Sequence, residues 1–154
     1  MHAIDPPTED TWLVHCDGTS LPNPGRIGVG VVLVAPDGVR HMLSHATGTY
    51  GCNNEAEACA LIAALLALRT LGATALRIHC DSSILVEQLG AAEVTPIARL
   101  AHVFAEARTL MSYFSKIELH WVPRHRNAEA DSLARAALGL ATKPVEKRKL
   151  KKRR

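Results

Sequence analysis

Two apolar runs, WLVHCD at residues 12–17 and LRIHCD at 76–81, end on the same tripeptide, and this repetition constrains the fold more than any other feature of the chain. Each run has the length and apolar content of a short strand. Between them lies NNEAEACALIAALLALRTL, with Asn53 at its start and Gly72 at its stop, a pattern that predicts a helix. Parallel neighbours in a sheet need such a crossover, and crossovers are right-handed. If the two runs are parallel neighbours, the shared tripeptide sets Asp17 beside Asp81. Cys16 and Cys80 then point to the opposite face, because side chains alternate along a strand.

The segment HCDGTSLPNPGRIGVGVV places a polar, Gly/Pro/Asn-rich stretch directly after Asp17 and a second strand, IGVGVVLVA, after that. The expectation is a hairpin with a connection much longer than the usual two residues, and Asp17 at the end of its first strand. A third strand is expected in GVRHMLSHATG after the turn APDG, then the long helix and the LRIHCD strand. Helices follow at about 82–89 and 96–111, a strand at KIELHWV, and a last helix at about 128–140. The order βββαβααβα, with hairpin strands first and crossovers later, predicts an α/β fold: one mixed sheet with helices packed on it.

The chain has 154 residues, enough for one domain with a hydrophobic core and too few for two. Its first ten residues are acidic and proline-containing, unlike a signal peptide, and the longest apolar block is too short for a bilayer. A soluble, cytoplasmic protein with no membrane contact is expected. The four cysteines show no metal-like spacing and read as reduced, structural thiols. The net charge of +3 hides a division. KPVEKRKLKKRR at 143–154 holds eight Lys and Arg against one Glu, net +7, leaving ten bases and fourteen acids, net −4, over 1–142. We therefore expect a folded domain at 1–142 and a flexible basic tail at 143–154 that suits a polyanionic partner.

Glu57 shares a helical stripe with Leu61, Leu65 and Leu68, and Asp131 lies in line with Ala134 and Leu138. Singly, Asp17, Glu57, Asp81 and Asp131 read as turn, cap or rim residues. Together they would repel, by roughly 3 kcal/mol for each pair of charges about 5 Å apart at an effective dielectric near 20. Hard oxygen donors without His or Cys partners suit Mg²⁺ or Mn²⁺ rather than zinc, and such ions commonly bind a substrate phosphate. This chemistry points to phosphoryl transfer or phosphodiester hydrolysis.

DGTSLPNPGRIGVG, CNNEAE, CDSSILVEQL and WVPRHRNAEADSLA resemble, in this order, the four active-site motifs of ribonuclease H type 1, across about residues 10–140. The resemblance implies a ribonuclease H-like, five-stranded mixed sheet flanked by helices on both faces. It implies that Asp17, Glu57, Asp81 and Asp131 bind two Mg²⁺ or Mn²⁺ ions. The implied reaction, by a monomer, cuts the RNA strand of an RNA·DNA hybrid to 5′-phosphate and 3′-hydroxyl products. Asn23, Asn53 and Asn54 match substrate-contact positions, where amides can meet a minor groove marked by the 2′-hydroxyl, and Ser83 falls where the family often has a larger polar contact residue. Only five residues separate His125 from Asp131, so the chain resembles the short-loop branch WVPRxxN…AD, in which His is not required; His125 is a candidate for proton transfer or a solvent-exposed loop residue. His15 and His79 should share the sheet face of the two aspartates, as packing or supporting groups. Residues 82–114 contain two Arg and no Trp, so the basic, Trp-rich handle of many relatives is missing, and the tail is the candidate for phosphate contact.

Two rival functions remain at this level. One is a catalytically silent nucleic-acid-binding module on the same fold, which the four intact acids oppose. The other is a nuclease of the same superfold acting on DNA or single strands, which the paired asparagines oppose.

Overall fold

The structure, a computed structural model, describes residues 8–90 and 97–140. The elements run β1 (Thr11–Leu21), β2 (Gly25–Val34), β3 (Arg40–Gly51), α1 (Asn53–Thr70), β4 (Ala75–Cys80), α2 (Ser83–Gly90), α3 (Ala101–Met111), β5 (Lys116–Trp121) and α4 (Ala128–Ala137). Short 3₁₀ turns at Ala98–Leu100 and Arg124–Arg126 precede α3 and α4. The five strands form one sheet in the order β3-β2-β1-β4-β5. The hairpin strands β1, β2 and β3 pair antiparallel, whereas β1, β4 and β5 pair parallel through helical crossovers. The mixed sheet is the one the element order predicts.

Alternation along the strands divides the sheet into two unlike faces. Val14 and Cys16, Ile27, Val29, Val31 and Leu33, and Leu76, Ile78 and Cys80 pack against Ala60, Leu61, Ala64, Leu65 and Leu68 of α1 in one buried core. Phe104, Ala107 and Leu110 of α3 close that core behind the α1 layer. α4 lies on the opposite face, over β2 and its neighbours β1 and β3. On the β4–β5 half of that face the side chains are polar. Arg77 Nε donates to Glu118 Oε1 at 2.9 Å, His120 Nε2 lies 3.0 Å from the same oxygen, and His79 stacks between His15 and His120 at ring separations of 4.7 and 5.9 Å. Burial, then the neighbouring His15 and His120, push the His79 imidazole down to about 4. His15 and His79 therefore share the aspartates' face, as alternation requires.

Three expectations are corrected. Asp17 does not end its strand: β1 runs on to Leu21, Asp17 pairs with Gly30, and only Pro22, Asn23 and Pro24 connect β1 to β2. The polar residues Gly18, Thr19 and Ser20 remain in the strand because their backbone is paired with β2. β3 is longer than its apolar signal, extending to Gly51 by pairing with Gly25 and Arg26. α4 stops at Ala137 rather than 140, because Gly139 takes φ +78° and the Leu140 N–H turns back to the Arg135 carbonyl at 3.0 Å. Pro96 and the basic segment 143–154 lie outside the described residues. Among the described residues no helix is long and apolar enough to cross a membrane.

Candidate active site

The β1–β4 register runs from Thr11↔Ala75 to His15↔His79 and stops there. Two further residues in the same register bring Asp17 alongside Asp81, but β4 has ended at Cys80 while β1 continues with β2 alone. The carboxylates therefore stand at a fork where one strand of the sheet leaves. This is the type of position, beyond the carboxyl end of a parallel strand, at which open α/β sheets bind ligands.

Two glycines around Asp17 allow helices to approach from both faces. Any Cβ at Gly18 would overlap the Ala56 carbonyl, so α1 can lie against β1 only over a glycine. At this contact the Gly18 N–H donates to Glu57 Oε1 at 2.9 Å. On the other face Gly30, the cross-strand partner of Asp17, meets the Ala130 carbonyl of α4 in the same way. Asp131, next in the chain, comes within hydrogen-bonding reach of the Asp17 carboxyl. Ligand oxygens of Asp17, Glu57 and Asp81 all lie within 4.8 Å of one another.

Asp17 is buried, at 5% exposure, whereas Glu57, Asp81 and Asp131 are half-buried. Desolvation, followed by the charges of Glu57 and Asp81, pushes the Asp17 carboxyl up to about 10. Glu57 is pushed up to about 8 by the same desolvation and by Asp81, against the Gly18 N–H, which favours its charged form. Burial and mutual repulsion oppose the ionised forms of Asp17 and Glu57, and a divalent cation would offset both. Oxygen donors from three separate segments, without His or Cys among them, fit Mg²⁺ or Mn²⁺.

Asn127 is a site residue that pattern reading missed. It is 2% exposed, and its Nδ2 donates both to the Cys16 carbonyl at 2.9 Å and to Asp81 Oδ2 at 3.1 Å. One amide thus ties β1 to the carboxylate at the end of β4, while its Oδ1 is buried with no hydrogen-bond partner among the described residues. The sequence signal was its place in WVPRHRN, where an Asn just before a helix reads as a cap.

The remaining candidates fall into two groups. Asn23 and Asn53 come together around Ser20: Asn53 Oδ1 accepts from the Ser20 N–H and Oγ at 3.1 and 2.9 Å, and Asn23 Oδ1 accepts from the Asn53 N–H at 3.1 Å. This fixes the β1–β2 turn to the start of α1 and presents both amides at the surface, with Asn54 half-buried beside them. Ser83 and His125 are exposed and make no side-chain contact with the carboxylates among the described residues. The cap of α2 is Ser82, whose Oγ accepts from the Leu85 N–H at 3.1 Å.

Residues 15–137 match a family model described as reverse transcriptase-like. The chain is 39% identical over 124 residues to ribonuclease HI of Halobacterium salinarum, a match covering 79% of this chain and 61% of that protein. It is 36% identical over 131 residues to a bifunctional protein of Mycobacterium tuberculosis, covering 84% of this chain and 36% of that one. It thus spans little more than a third of one curated relative and about three fifths of the other. Among solved structures, the halobacterial ribonuclease H superposes with a TM-score of 0.78 at 36% identity, over 84% of this chain and 98% of that one. LC11-RNase H1, solved in complex with an RNA/DNA hybrid, superposes at 0.75 and 29% identity, over 83% and 96%. The chain belongs to the ribonuclease H-like family.

Proposed function

We propose that this chain is a divalent-metal-dependent endonuclease that hydrolyses the RNA strand of RNA·DNA hybrids to 5′-phosphate and 3′-hydroxyl products. The observation that carries the reading is the cluster of Asp17, Glu57 and Asp81 within 4.8 Å, with Asp131 against Asp17, on a fold shared with a ribonuclease H solved on a hybrid. Asp17, Glu57, Asp81 and Asp131 would hold two Mg²⁺ or Mn²⁺ ions, which supply an activated water and charge stabilisation at the leaving 3′ oxygen. The chain itself does the positioning. Asn127 orients Asp81, the Gly18 N–H orients Glu57, and Asn23, Asn53 and Asn54 offer amides to a minor groove in which the 2′-hydroxyl marks the RNA strand. His125, on the turn before α4, is the candidate for proton transfer to or from solvent, and the tail at 143–154 for phosphate contacts. The chain acts as a monomer in this reading.

The test is cleavage of an end-labelled hybrid beside duplex RNA, duplex DNA and single-stranded RNA, each with Mg²⁺ and with chelator. Metal-dependent cutting confined to the RNA of the hybrid supports the reading. Cutting of another substrate in preference, or hybrid cutting undiminished by chelator, overturns it.

A further inference from the structure

We propose that the connection from β5 to α4, Trp121 to Arg126, is a ledge that holds a nucleic-acid strand beside the carboxylates. The Trp121 indole takes a base or sugar ring, and the guanidinium groups of Arg124 and Arg126 take flanking phosphates. Trp121 is the last residue of β5 and is 52% exposed, unusual for a side chain that proteins mostly cover. Its ring is held in place: the indole N–H donates to the Asp81 carbonyl at 3.3 Å, which places an open aromatic surface at the backbone of a site carboxylate.

The backbone of the connection is pinned at both ends. The Val122 N–H bonds the Cys80 carbonyl at 2.9 Å, and a tight turn follows in which the Arg126 and Asn127 N–H groups bond the Pro123 and Arg124 carbonyls at 2.9 and 3.0 Å. The turn ends on buried Asn127 and its bond to Asp81. Both arginines are exposed, and neither makes an ion pair or side-chain hydrogen bond among the described residues. Other arginines are engaged: Arg40 pairs with Glu129 at 2.6 Å, Arg77 with Glu118, and Arg69 lies over the Tyr113 ring. Two unengaged cations beside four acids supply the attraction a polyanion needs near a site that repels it. An aromatic platform with flanking cations is how proteins hold nucleic-acid strands without reading sequence.

The ledge rests on the nuclease reading only for which nucleic acid it holds. The test uses the full chain carrying Trp12→Phe, which leaves Trp121 as the sole tryptophan. The ligand is an RNA·DNA hybrid in Ca²⁺ to suppress cleavage, with duplex DNA and single-stranded RNA titrated in parallel. Hybrid binding is expected to quench Trp121 emission. Trp121→Ala is expected to weaken binding by roughly 5- to 100-fold, and Trp121→Phe by much less. Arg124→Gln with Arg126→Gln is expected to lower the log-log salt slope by up to about 1.8. Should Trp121→Ala misfold by circular dichroism, the emission change and Trp121→Phe still decide. Emission unmoved by saturating nucleic acid, with dissociation constants and salt slopes equal to the parent, would overturn the ledge. Equal losses on all three ligands with no cleavage of hybrid would keep the ledge and remove the hybrid reading. Hybrid cleavage with binding untouched by the variants would do the reverse.

Discussion

Replacing Asp17 with Asn should make the metal-free protein more stable and the metal-bound protein inactive. Asp17 is 5% exposed, and its carboxyl remains protonated at neutral pH because burial and the charges of Glu57 and Asp81 push it up. In the unfolded chain an aspartate ionises near 3.9, so folding at pH 7, about three units above that value, must return a proton to the group. At 1.36 kcal/mol per unit this costs about 4 kcal/mol as an upper bound, and relaxation with water entry reduces it to about 2. The sign follows from the raised value: the native state binds more protons than the unfolded state between the two pKa values, so this contribution is present in full below about pH 4 and is lost as pH rises towards the folded value. The variant's advantage over the parent should grow from pH 5 to pH 8. Comparing the two proteins cancels His79, whose lowered pKa acts in the opposite direction over part of that range. The assay is the thermal midpoint in chelator at pH 5, 6, 7 and 8, where about 2 kcal/mol at pH 7 corresponds to roughly 4–8 °C. Mg²⁺ should then raise the parent's midpoint and leave the variant's nearly unmoved. A variant less stable than the parent in chelator, or an advantage that shrinks with rising pH, would refute the reasoning.

Asn127→Ala removes the bonds to the Cys16 carbonyl and Asp81; it should cost about 1–3 kcal/mol in a urea melt and weaken the Mg²⁺ dependence of cleavage, read as a higher metal concentration for half-activity. Gly18→Ala sets a methyl against the Ala56 carbonyl; it should lower the thermal midpoint and reduce turnover even at saturating metal, since α1 must retreat with Glu57. For His125→Ala, turnover is expected to fall by one to two orders of magnitude with little change in KM; an equal rate across pH 6–9 assigns it to the solvated loop. Deleting 143–154 should weaken hybrid binding and lower the log-log salt slope by up to about 0.9 for each phosphate that the tail neutralises, as measured by titrations between low and physiological salt.

What could be read in advance was what depends on periodicity. The doubled HCD gave the register that sets Asp17 beside Asp81, and the spacing from Glu57 to Leu61, Leu65 and Leu68 placed an acid on a buried stripe. Pairing partners were harder to read. The extension of β1 through Gly18, Thr19 and Ser20 comes from β2 lying beside it, which outweighs the turn-like composition of that stretch. Asn127 serves the site by touching Cys16 and Asp81, 111 and 46 residues away, and no local signal reports such contacts. Gly18 and Gly30 read as loop and strand glycines, and only the packed helices show that both positions exclude a methyl group. The arginines of the 124–126 turn carry no local signal beyond their charge, and only the fold shows that they lie in the chain between an exposed Trp121 and a buried Asn127.

The fork in the sheet also bears on how the molecule reaches its working state. The β1–β2–β3 half is a pair of hairpins, built from contacts close in sequence, whereas β1–β4 pairing joins Thr11 to Ala75, and α4 brings Asn127 and Asp131 back from the far end of the described chain. Contacts between distant residues form late because loop closure must precede them. The carboxylate cluster draws one side chain from each of four segments and has no partial version within the hairpins. Refolding followed by far-ultraviolet circular dichroism should therefore run ahead of refolding followed by catalytic activity, and the interval between them measures the docking of β4 and α4 onto a ready-made meander.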